Sequence, residues 1–105
     1  MIDASSREKR EEAEMSLSNG DTDFEAGNLD SALRYYESAR QSFREVGNRV
    51  REAVALLRMT YVYEQRMQIE KALFLAREAR DILAESGEKV LENDAIQRLN
   101  SLEHK

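Results

Sequence analysis

The 105-residue sequence predicts an all-α fold, a short solenoid of two stacked helix pairs followed by a C-terminal capping helix. Three observations carry the prediction. The composition is rich in Ala, Leu, Glu and Arg and contains no Pro, no Cys, no Trp and four Gly, which suits long helices with few interruptions. Two separate stretches recur in one register. "GNRVREAVALLRM" from Gly47 aligns with "GEKVLENDAIQRL" from Gly87, and "SALRYYESARQSFREVG" aligns with "KALFLAREARDILAESG", always forty positions apart. The stretches of the second pair each end in a glycine, Gly47 or Gly87, which can take the left-handed conformation that closes a helix. A chain of this length holds one domain, 1–105, with repeat 1 at about 8–46, repeat 2 at about 48–86 and the capping helix at about 88–103.

The expected elements run in order at roughly 6–26, 29–46, 49–66, 69–86 and 89–103. The first contains "SNGDTDFEAGN", whose Asn19, Asp21, Asp23 and Glu25 alternate as in a calcium loop. Such a loop also needs a glycine at its sixth place and a glutamate at its twelfth, where Phe24 and Asp30 stand, so helix followed by a Gly27-Asn28 turn is the better reading. Asn19 to Asp23 are poor helix formers in succession, and fraying or a kink is expected near Gly20, with the first hairpin the least stable.

The second helix places Leu33, Tyr36, Ala39 or Arg40, Phe43 and Val46 on one face, and the fourth repeats this with Leu73, Ala76, Ala79, Leu83 and Ser86. The third, "REAVALLRMTYVYEQR", is apolar nearly all round and is expected to be sandwiched. Short connections make neighbours antiparallel, so a repeated pair stacks on its copy.

The sequence also excludes. A formal net charge of −5 disfavours nucleic acid and anionic membrane as partners. No apolar run is long enough to span a bilayer, and "MIDASSREKREEAEM" lacks the apolar stretch of a signal peptide. The terminal "LEHK" reads as partly vector-derived, so no chemistry is placed on His104, the one histidine. Without cysteine there is neither a disulfide nor a thiolate metal site, which fits a reducing compartment and makes the cytoplasm the expected location. No nucleophile-and-base pair or phosphate loop occurs, and Glu11/Glu12 and Glu85/Glu88 read as solvated helix faces. The expectation is therefore no enzyme, no cofactor and no metal.

The residues resemble the tetratricopeptide repeat. "LLRMTYVYEQRMQIEKALFLAREA" fits its pattern through Leu56, Met59, Thr60 and Tyr63 on a first helix and Ala72, Ala76 and Ala79 on a second. "GDTDFEAGNLDSALRYYESA" fits through Gly20 at the small position, then Ala32, Tyr36 and Ala39. Asp23 departs from it where an aromatic is preferred, and the proline after the second helix is replaced by glycine. The forty-residue period is similar to the long-helix variety of kinesin light chains and cell-polarity adaptors.

The resemblance implies a right-handed stack of hairpins that binds a peptide or protein segment on its concave side, lined by the first helix of each pair. Carried over, the partner-binding positions are Leu17, Asp21, Val54, Leu57, Arg58, Tyr61, Gln65, Gln97 and Arg98, with Phe24, Glu25, Glu64, Asp94 and Ser101 beside them. For Leu57 and Tyr61 ordinary core is an equal reading, whereas for Arg58 and Arg98 a solvated surface is the preferred one. The carboxylate clamp of chaperone-binding members is not matched, because Leu17, Asp21, Arg58, Asp94 and Arg98 stand at its places and only Arg98 agrees. The strip Val54, Leu57 and Tyr61, with Arg58 and Arg98 beside it, suggests a partner both apolar and acidic. The rival reading is a self-assembly unit in which the repeat surface makes a homo-oligomer.

Overall fold

The computed structural model describes residues 4–105 and contains five helices: α1 (Ala4–Glu25), α2 (Leu29–Glu45), α3 (Arg49–Gln65), α4 (Ile69–Glu85) and α5 (Lys89–Glu103). There is no strand among the described residues. Each helix packs on the one before it, from α1 on α2 through to α4 on α5, while α1 and α3 meet sparsely. This is an all-α stack of helix pairs with a terminal helix, as the forty-residue repeat requires.

One turn is used four times. Gly27, Gly47, Met67 and Gly87 have φ of 83°, 76°, 63° and 73°. In every case the amide of that residue donates to the carbonyl three places earlier, and the next amide donates to the carbonyl five places earlier. These paired bonds satisfy the carbonyls left open where a helix stops. Three turns use glycine because positive φ crowds a Cβ. The fourth holds Met67 there, 81% exposed, which the glycine pattern did not reveal.

Close approach of paired helices depends on small residues. Ala32, Ala39, Ala72 and Ala79 are fully buried, as the repeat pattern anticipates. At Gly20 the ring of Tyr36 occupies the place of a side chain, and a Cβ there would lie 2.6 Å from ring carbons. The expected fraying does not occur, for α1 runs as helix without interruption through residues 18–25. Tertiary contacts hold this poorly helical stretch: Tyr36 Oη donates to Asp21 at 2.6 Å, and Ser31 Oγ donates to Asp23 at 2.5 Å. Residues 19–25 are thus helix and 26–28 a turn, so no calcium loop forms.

The core follows the same logic. Phe43, Leu56, Val62 and Leu83 are almost wholly enclosed, and Leu73, Leu99 and Leu102 form a second cluster between α4 and α5. α3 buries residues on nearly every side, as a helix covered by two neighbours should. α5 packs mainly on α4 and meets α3 along one edge, through Arg98. Ile96 is consequently 39% exposed, whereas its counterpart forty positions earlier, Leu56, is 1% exposed. No helix among the described residues is long and apolar enough to cross a membrane.

Candidate protein-binding groove

The odd-numbered helices α1, α3 and α5 face one another across two seams, and one spacing recurs in both. Across the first seam Arg51 forks onto Glu14 at 2.8 and 2.6 Å, and Arg58 donates to Asp21 at 2.5 Å; each pair is 37 residues apart. The same spacing across the second seam pairs Leu91 with Val54 and Arg98 with Tyr61. Arg98 lies over the Tyr61 ring with its guanidinium carbon 3.8 Å from the centroid. The helical lattice is shared, but its side chains differ. Acid and base zip the first seam, whereas the second replaces Glu14, Arg51 and Asp21 by Val54, Leu91 and Tyr61.

An open groove of about 500 Å³ lies along the second seam. Val54 is buried at its base, Leu57 and Leu91 are half-buried, and Tyr61 remains 45% exposed. Asp94, Gln97 and Ser101 of α5 form the exposed rim, with Arg58 and Arg98 also lining the wall. A smaller depression of about 290 Å³ adjoins it, lined by Asp21, Phe24, Glu25 and Tyr36 and sharing Arg58 and Tyr61. Phe24 and Tyr61 meet edge to face, with centroids 6.4 Å apart.

Arg98 is a correction to the reading of a solvated surface arginine. It is buried, its Nε donates to Thr60 Oγ1 at 2.9 Å, and its Nη2 donates to Glu64 at 2.6 Å. Thr60 Oγ1 in turn donates to the carbonyl of Leu57 at 2.6 Å, and no buried side-chain polar atom among the described residues lacks a partner. Lys105 reaches the other oxygen of Glu64 at 2.9 Å. Burial pushes the Glu64 carboxyl upward, but hydrogen bonds from Lys105 and Arg98 outweigh it and hold the group below the ordinary carboxylate range. Burial, then the hydrogen bond to Asp21, drives the Tyr36 hydroxyl well above its usual pKa, so it stays a donor.

Of the nine positions expected to meet a partner, six converge on the groove: Val54, Leu57, Arg58, Tyr61, Gln97 and Arg98. Asp21 lies in the adjoining depression, tied to Arg58 and Tyr36. Leu17 is a correction, because its side chain is enclosed within the core and does not reach the groove wall. Gln65 is exposed near the end of α3 and also stands off the wall. Leu91 was missed. Its spacing of 37 from Val54 would have signalled it, since the pairing rule is set by the packing of one odd-numbered helix on the next.

Among the described residues no group of His, Asp and Glu side chains is arranged to hold a metal ion. The polar groups that do cluster are ion pairs and hydrogen bonds between helices, which position the seams.

No curated protein and no solved structure matches the chain. A family model, the tetratricopeptide repeat, matches residues 11–85, which takes in α1 from residue 11 onward, all of α2 to α4 and every turn between them. The repeated turn, the buried small residues at the helix contacts and this match over most of the sequence make one case: the chain belongs to the tetratricopeptide repeat family, non-enzymatic helical scaffolds that mediate protein–protein interaction.

Proposed function

We propose that this domain receives a peptide or protein segment of a partner in the groove between α3 and α5. The observation that supports the reading is the apolar second seam. Val54, Leu57, Leu91 and Tyr61 leave a concave apolar surface edged by polar side chains, at a place where the same lattice one repeat earlier is closed by ion pairs. Apolar floors with polar rims are the usual anatomy of a protein-docking site, the floor supplying most of the affinity. The reading needs no catalysis and no cofactor.

A second reading draws on the end of the stack. Val90 is 76% exposed and Ile96 39% exposed on α5, where another helix would continue the solenoid. A second copy packed there would make the domain an assembly unit. One paired experiment separates the two: co-purification of partners with wild type, Leu57→Asp and Val90→Asp/Ile96→Asp, alongside light scattering. Partner loss with Leu57→Asp at unchanged helicity supports the groove. Retained partners together with a shifted oligomeric state in the α5 variant replace it by the assembly reading.

A further inference from the structure

The charges around the groove are unequally committed. Arg58 is held by Asp21, and Arg98 by Tyr61, Thr60 and Glu64. Releasing Arg98 to an incoming carboxylate would break its hydrogen bonds to Thr60 and Glu64, and bonds made by a buried guanidinium are costly to break. Glu25 and Asp94 are different. Both are exposed, one on each side of Tyr61, and neither forms an ion pair among the described residues. Along these walls three carboxylates, Asp21, Glu25 and Asp94, stand against two cations, Arg58 and Arg98, a net charge of −1.

We infer that the segment bound here carries lysine or arginine beside an apolar side chain, rather than the acidic character that two arginines in the sequence suggested. The inference rests on the groove being a docking site. An apolar side chain covers Val54, Leu57 and Leu91, while the cation meets Asp94 or, past Tyr61, Glu25. A cation gains a charge-assisted hydrogen bond at an acid that has no internal bond to break. An acidic segment would have to pull Arg58 from Asp21 and would approach Asp94 against repulsion. The net charge of −5 on the whole chain acts in the same direction at long range.

Selection of a random peptide library displayed on phage, with synthetic copies of the selected peptides titrated by calorimetry, tests this. Enrichment of lysine or arginine next to apolar residues is expected. Glu25→Gln/Asp94→Asn should raise Kd about tenfold, the scale of losing one charge contact, while Glu70→Gln, on the exposed start of α4, should leave it unchanged. Leu57→Asp should abolish binding. Selected peptides that are acidic, or basic ones indifferent to Glu25→Gln/Asp94→Asn, overturn the charge inference, and if they still fail against Leu57→Asp the groove reading stands. Binding that survives Leu57→Asp, or a library that yields no binder, overturns the groove reading and this inference with it.

Discussion

Gly20 shows how one missing side chain organises three helices. Its bare Cα lets the Tyr36 ring of α2 lie against α1, the hydroxyl then reaches Asp21, and Asp21 turns to Arg58 of α3. Gly20→Ala would put a methyl group 2.6 Å from a buried ring, so overpacking should cost about 1–3 kcal/mol, read as a lower urea midpoint with unchanged slope. The need for a small residue at Gly20 was legible in the sequence, because the repeat pattern marks it. The hydrogen bond from Tyr36 to Asp21 was not, since helical period alone does not say which turn of α1 faces which turn of α2. A second residue with a measurable signature is Glu64. Its carboxyl titrates below the ordinary range in the folded chain, so its stabilising pairings are complete above the unfolded pKa and vanish as pH falls through the folded one. Glu64→Gln should therefore lower the melting temperature at neutral pH and flatten its decline in acid, measured by calorimetry from neutral pH downward.

At the scale of the element, turns and helices are governed by different information. The three glycine turns announce themselves in the sequence, and all four adopt one hydrogen-bonding scheme. Met67 does not announce itself, because a methionine normally continues a helix. Placed in the left-handed region it stores strain of roughly 1–2 kcal/mol. Met67→Gly relieves that strain while losing some unfolded-state restriction, so a net gain of about 0.5–1 kcal/mol is expected as a higher melting temperature. The open side chain of Met67 makes no packing contribution that would oppose the gain. α1 gives the converse lesson: its residues 19–23 favour a break, yet Tyr36 and Ser31 hold them helical, so tertiary contact overrides local propensity.

At the scale of the whole molecule, the forty-residue echo made the stack legible, and the three- and four-residue steps of Val54, Leu57 and Tyr61 made one wall of the groove legible. The opposing wall was partly hidden. Leu91 and the buried state of Arg98 depend on how far apart α3 and α5 sit, a distance bridged by side chains and absent from any helical period. The nearest-neighbour arrangement also has a kinetic meaning. Each helix rests mainly on those adjacent in the chain, so the molecule behaves as a five-unit one-dimensional lattice in which a unit melts once a flanking unit has gone. Amide exchange should accordingly be fastest in α5 and at the start of α1, and slowest in α3, whose release requires its neighbours to open. Uniform protection across all five helices, measured by native-state hydrogen exchange, would show instead that the lattice opens only as a single block. With graded opening, a ligand bridging α3 and α5 would slow exchange most at the fraying end, turning a local binding event into a brake on unravelling from the C-terminus.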